Sequence, residues 1–297
     1  QAKKSARSMT LHLMREYKAG HLHMRPRTSS FTRLFSPLYD ARRNIPAQAA
    51  MGVVENINFP DDEFASSCFT YGLTVCAWSL DPEAPLVAHC LWQLLPQHPI
   101  SGEYLKLVLQ TYANHPKHAL SELAETLLTD TLDMGLPITE DMIRLVIEIA
   151  TRRRRTQEAY ALLQRFKSRV SMPTTLSHVL LACALASSHK HQRWQHFQLA
   201  YRAFTQWRES KKEITSLHYL YLITCAMRLP SGGSLRITMM QQVWKQCHAD
   251  GLVTPAILRR CQSLFKSSDH DARTWDCTTK MLDHEINSRA VVQFSLL

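Results

Sequence analysis

A pair of amphipathic helices recurs along this sequence at intervals too regular for a single-copy bundle. Between Pro137 and Pro173, Thr139 stands at a helix N-cap with Glu140 and Asp141 in the first turn. Met142, Ile143, Leu145, Val146, Ile149 and Ala150 follow at helical spacing, and after a polar break so do Ala159, Leu162, Leu163 and Phe166. The same layout appears upstream, with Tyr104, Leu105, Val108, Leu109 and Tyr112 facing Ala119, Leu123, Ala124, Leu127 and Leu128. It appears again downstream, from Leu176 to Cys183 and from Phe197 to Trp207. Aligned first helices put Phe31, Tyr71, Leu105, Ile143, Leu176 and His218 at equivalent places, 40, 34, 38, 33 and 42 residues apart. Two helices of about 12 residues with short turns fill that length, so the repeating unit is one helical hairpin. Repeats that bury a face only against their neighbours make a solenoid. The predicted fold is therefore all-α, an α-α solenoid of about six hairpins over residues 1–265. A charge-balanced tail, residues 266–297, ends in the apolar run Ala290 to Leu297 and is expected to cap the stack or stay partly disordered.

Composition supports helices. Only 8 Gly occur in 297 residues, too few for the tight turns that sheets demand. The net charge of +10 conceals a strong segregation. Residues 1–50 carry 10 basic and 2 acidic side chains, residues 51–150 carry 3 and 14, and residues 151–250 carry 16 and 4. Two basic regions flanking an acidic one suit a polyanion held on part of the surface, and nucleic acid is the commonest such partner. Residues Gln1 to Arg15 are basic with no acid before Glu16, a composition that fits the tail of a transit peptide as well as an ordinary basic helix. No apolar run reaches the roughly 18 residues of a membrane span, so no membrane partner is expected.

The repeats resemble the pentatricopeptide repeat family, which includes degenerate versions in algae and related protists. Gly135-Leu136-Pro137 before a helix, followed by Glu158-Ala159-Tyr160-Ala161-Leu162-Leu163, looks like the family's phrase. Thr70 to Ser79 and Leu176 to Ala184 are similar to its first helix, with a small Ala near the helix end. Val243 to Cys247 and Asp250 to Val253 resemble the ending of such proteins. The tetratricopeptide repeat fits less well, because its Trp, Gly, Tyr and Pro positions are not kept.

The resemblance implies a surface of first helices that holds single-stranded RNA, about one base per repeat. Its base-reading positions fall on Arg33, Leu73, Leu107, Leu145, His178 and Leu220. Leu at four of these has nothing to hydrogen-bond a base edge with, so Arg33 and His178 are the candidate base contacts. Arg152, Arg153, Arg154 and Arg155, at the end of one first helix, are candidates for phosphate contact, and Arg42 and Arg43 occupy the matching turn of the first unit. Asp81 and His115 interrupt that edge. The family also implies a mitochondrial or plastid setting, with RNA processing, stability or translation as the process. A protein-protein scaffold, such as a structural subunit associated with an organellar ribosome, is the alternative.

Other residues read as structure. The 8 Cys form no Cys-x-x-Cys pair and most lie in apolar helical runs, as small reduced core residues do. Trp194, Trp207, Trp244, Phe197 and Phe204 have the spacing of core between repeats, and at most one of Tyr219 and Tyr221 faces the groove. Among the 15 His no set completes a zinc-ligand pattern. Gly-x-Ser-x-Gly, phosphate-binding glycine loops and His-Glu-x-x-His are missing from the sequence, so neither enzyme activity nor a cofactor is expected. Asp269, Asp271, Asp276 and Asp283 in the tail lack room for a nuclease fold.

Overall fold

The computed structural model describes residues 62–94, 102–186, 190–229 and 234–265. The expected first repeat around Phe31, with Arg33, Arg42 and Arg43, and the expected cap, residues 266–297, lie outside the described residues. Those described are all-helical: α1 (Asp62–Trp78), α2 (Ala84–Leu94), α3 (Gly102–Asn114), α4 (Ala124–Asp133), α5 (Glu140–Arg152), α6 (Thr156–Arg165), α7 (Pro173–Leu185), α8 (Lys190–Glu209), α9 (Ser216–Met227), α10 (Ser234–Ala249) and α11 (Pro255–Phe265). Short 3-10 turns, Ala119–Leu123 and Lys167–Arg169, precede α4 and follow α6.

α1, α3, α5, α7 and α9 are first helices of the predicted hairpins, and α11 holds the same place after α10. Their contacts divide the chain into two compact units, with the boundary in sequence between Arg153 and Arg154. In the first unit α1 packs on α3 and α3 on α5, while α2 covers α1 and α3, and α4 covers α3 and α5. In the second, α7 packs on α9 and α9 on α11, with α6 against α7 and α8, α8 over α7 and α9, and α10 over α9. First helix on first helix, with the second helix bridging two neighbours, is the solenoid arrangement expected of the repeats.

Local chemistry sets the boundaries. α5 follows Thr139 in extended conformation, with Glu140 and Asp141 placed where the helix dipole favours negative charge. α7 opens on Pro173, whose missing N–H costs nothing at a helix start. Three second helices, α4, α8 and α10, end in a left-handed residue. Gly135 has φ +75° and Gly251 has φ +68°. At each, the next residue's N–H returns to a carbonyl five residues back: Leu136 to Thr131 (3.2 Å) and Leu252 to Cys247 (3.1 Å). α8 ends the same way, but with Lys211 at φ 54° and Lys212 N–H on Trp207 O. The segments 135–139 (Gly-Leu-Pro-Ile-Thr) and 211–215 (Lys-Lys-Glu-Ile-Thr) are thus one turn written twice.

A left-handed lysine is strained relative to glycine. Lys211→Gly is therefore expected to stabilise the second unit by about 0.5–1 kcal/mol, read as a higher denaturation midpoint; an unchanged or lower midpoint would show that the turn carries no strain.

The core consists of side chains such as Leu105, Leu109, Leu128, Leu176, Leu180, Leu222 and Ile223, all fully buried. Each is worth about 1.5–3 kcal/mol on removal from water. Of the aromatics expected as core, Phe197, Phe204, Trp207 and Trp244 are buried while Trp194 is only half-buried, and Phe204 meets Tyr219 edge-on with ring centroids 5.0 Å apart.

One buried titratable group ties two first helices together. His218, fully buried, accepts from Thr215 N–H on Nδ1 (3.1 Å), as a Glu or Gln does in a capping box. Its Nε2 therefore carries the proton and donates to Pro173 O at 2.8 Å, linking α9 to α7. Burial lowers its pKa below the ordinary 6.5, with the Pro173 bond and the charge of Glu213 partly opposing. The unfolded chain then takes up this proton at a higher pH than the folded one. The contribution is complete above pH 6.5 and is lost as pH falls below it. His218→Gln is expected to cost about 1–3 kcal/mol at neutral pH and to flatten the decline in unfolding free energy below pH 6.5. His89 and His196, also lowered by burial, are present in both proteins, so the difference between the two pH profiles isolates His218. Parallel profiles would refute this role.

Candidate nucleic-acid interface

The five complete or nearly complete first helices after α1 start at Gly102, Glu140, Pro173, Ser216 and Pro255, and counting from these starts sets the register. Along α3 two residues are buried (Tyr104, Leu105), two face outward (Lys106, Leu107) and two are buried again (Val108, Leu109). α7 repeats this with Ser177 and His178 outward, α9 with Leu220 and Tyr221, and α11 with Arg259 and Arg260. In α1 the outward pair is Thr70 and Tyr71, while Leu73 is fully buried. In α5 only Arg144 is outward, and Leu145 is buried.

The row of equivalent positions is therefore Tyr71, Leu107, Leu145, His178, Tyr221 and Arg260. His178 and Leu107 keep the places the sequence assigns them. Leu73 yields to Tyr71 and Leu220 to Tyr221, and Arg260 joins the row. In the second unit the row holds an imidazole, a phenol and a guanidinium on three helices packed side by side. Tyr219 is buried and donates to Asp250, so Tyr221 is the tyrosine that faces outward.

The arginine run is divided in its roles. Arg152 Nη1 donates to Ala113 O at 2.8 Å, and its Nη2 meets Glu148 Oε1 at 2.5 Å. Arg153 donates to Pro116 O (2.8 Å) and His118 O (3.1 Å) and pairs with Glu122. Both guanidinium groups thus close the carbonyl end of the preceding hairpin's first helix and its turn. Arg154 is exposed with φ 60°, and Arg155 is exposed with Glu158 at 3.3 Å. Asp81 and His115 are structural as well: Asp81 accepts from Glu83 N–H at the start of α2, and the His115 ring meets Ser79 O at 3.0 Å.

Arg152 is also the last link of an ion-pair ladder along α3 and α5. Lys106 meets Asp141 at 3.7 Å, Asp141 meets Arg144 at 3.5 Å, Arg144 meets Glu148 at 3.2 Å, and Glu148 meets Arg152. Charges on this face of the first unit are neutralised by one another. The second unit is different. Residues 154–250 carry 14 Lys or Arg against 4 Asp or Glu, whereas residues 62–153 carry 5 against 12.

Chemically the surface offers donors and ring faces. Burial pushes the thiols of Cys76, Cys183, Cys247 and Cys261 up to about 12, so none of them is a thiolate nucleophile at neutral pH. Among the described residues no three His, Cys, Asp or Glu side chains gather to hold a metal ion, and no helix is long and apolar enough to cross a membrane. No protein-family model matches the sequence, and no curated protein is significantly similar to it.

The two kinds of arginine are separable by stability. Arg153→Ala is expected to cost the first unit about 2–3 kcal/mol, since it leaves two carbonyls and a carboxylate without their charged donor. Arg155→Ala is expected to change stability by less than about 0.5 kcal/mol. Equal denaturation midpoints for the two variants would contradict the assignment.

Proposed function

We propose that this chain is a non-catalytic, RNA-binding helical-repeat protein whose second unit holds single-stranded RNA across α7, α9 and α11. The observation that carries this reading is the row His178, Tyr221 and Arg260, at equivalent outward positions of three stacked helices in the strongly basic unit. A phenol ring and a guanidinium plane each stack on a base regardless of its identity, and the imidazole and guanidinium hydrogen-bond to base edges. The surrounding positive charge supplies the salt-dependent, sequence-independent part of affinity. Repeat length and the motifs that resemble the pentatricopeptide family support an organellar RNA, mitochondrial or plastid, as the target, with an effect on its processing, stability or translation.

Particular features of the first unit favour a second reading, a protein-protein scaffold such as a subunit associated with an organellar ribosome. Its described residues are acidic, and Trp78, Leu80 and Leu86 are exposed by 56%, 66% and 45% around the α1–α2 turn. Grouped exposed apolar side chains of that size mark protein contacts.

Fluorescence anisotropy with a labelled single-stranded RNA at increasing salt separates the two readings. Binding is expected to weaken with a log–log slope near −0.7 per phosphate contacted. Tyr221→Ala is expected to lose about 1–3 kcal/mol, and Tyr221→Phe to lose little, because stacking needs the ring and not the hydroxyl. Tight, salt-insensitive capture of a protein partner with no affinity for RNA would make the scaffold the correct reading.

A further inference from the structure

A second feature of the basic unit lies away from the first-helix row. The turns that end α6 and α8 border an open cleft of about 580 Å³, whose walls include Arg165, Lys167, Ser168, Arg169, Ser210 and Lys212. No carboxylate is among its lining residues. Its two walls are held together by direct bonds. The Lys212 ammonium donates to Lys167 O (2.8 Å) and Val170 O (2.5 Å) and sits 4.6 Å from the centre of the Trp207 ring. Above it, Gln164 Nε2 donates to Gln206 Oε1 at 2.7 Å, joining α6 to α8.

We infer that this cleft is a binding site for a phosphate ester. Three cations at alternate positions of the segment 165–169, with Lys212 fixed beside them, place like charges in one concavity. Such a cleft concentrates field on an anion that enters it. Lys167 and Arg169 are exposed, so their side chains reach a ligand without leaving a packed position. A tetrahedral phosphate offers oxygens in several directions at once and accepts from guanidinium forks, ammonium groups and serine hydroxyls on opposing walls, where a planar carboxylate satisfies fewer of them. The volume falls within the range of about 300–1,000 Å³ typical of small-molecule sites, so a nucleotide-sized ester fits more naturally than a bare ion. Two sources supply this chemistry, the phosphodiester chain of a bound RNA and a free mononucleotide. The site stands independently of the His178, Tyr221 and Arg260 row, because its residues come from the ends of second helices.

Calorimetric titration of the full chain at low salt with inorganic phosphate, uridine monophosphate and a short oligouridylate tests this. The Lys167→Gln/Arg169→Gln double variant, with an unchanged melting temperature, is expected to bind the phosphate esters at least about tenfold more weakly than the wild type. Ser168→Asp, which introduces a like charge to the ligand, is expected to act in the same direction. If the wild type binds the mononucleotide and loses it in these variants, the site takes a free ester; if only the oligouridylate is bound and weakened, the source is a strand. Unaltered affinity for every probe in both variants overturns the proposal, even if Tyr221→Ala still weakens oligouridylate binding. Conversely, a mononucleotide that depends on Lys167 and Arg169, beside an oligouridylate indifferent to Tyr221, keeps this site and removes the RNA groove.

Discussion

Every helix leaves carbonyl groups without intrahelical donors at its C-terminal end, and a stack of short helices accumulates many such ends. This protein answers with side chains from the next repeat. Asn114 donates to Ala77 O at 2.6 Å, Arg152 to Ala113 O at 2.8 Å and Arg228 to Ala186 O at 3.0 Å. Counted from their helix starts, Asn114, Arg152 and Arg228 hold the same position, the thirteenth, on α3, α5 and at the end of α9. Apolar burial supplies most of the stability, but it is not directional and tolerates a slip of one helix along another. A hydrogen bond from one helix end to the last carbonyls of its neighbour does not tolerate that slip. It sets the register, and the register decides which residues of each first helix face outward.

That constraint changes what a basic residue at a turn means. In sequence, Arg152 to Arg155 form the densest positive cluster, and phosphate is the natural partner for it. In the structure the first two belong to the capping system and the ladder through Glu148, leaving the second two on the surface. Lys212 is a related case in the other unit, an ammonium that closes the carbonyl turn after α6 and still contributes charge to a cleft. Charge counted along a chain therefore overstates what a polyanion meets, and among the described residues the positive surplus that remains after internal pairing lies beyond Arg153.

The alternation of apolar positions made the helices, their pairing and the start of α5 at Glu140 legible, because Thr139 followed by two acidic residues is a clear start signal. Register was legible only in part. In α9, Leu217 is 41% exposed and His218 is fully buried, an inversion of their ordinary preferences. An apolar-face reading of α9 therefore slips by one residue and selects Leu220 in place of Tyr221. α1 has 17 residues where α3 and α5 have 13, and in it the outward residue Tyr71 stands two before Leu73, the residue that the motif alignment selects. The partners through which Arg152 and Arg153 hold the preceding hairpin lie 31–39 residues away, which no local pattern reveals. The Lys212 cleft was hidden for the same reason: its cations come from two segments 45 residues apart.

The two units also differ as platforms for a flexible polyanion. In the first, the equivalent row passes from Tyr71 through Leu107 to Leu145, and the last of these is buried. A base laid along it meets apolar surface beside a closed ladder of ion pairs, and entry of a phosphate would have to break bonds such as Arg144 to Glu148. In the second, the row runs His178, Tyr221, Arg260, with Ser177 and Arg259 beside its ends. Stacking and charge there come from side chains that face outward in the folded state, in a unit whose basic residues outnumber its acidic ones. Desolvation of a paired cation opposes binding, whereas neutralisation of clustered like charges favours it. The same fold thus carries two surfaces of opposite electrostatic disposition, and the RNA-binding proposal rests on the one built beyond Arg153.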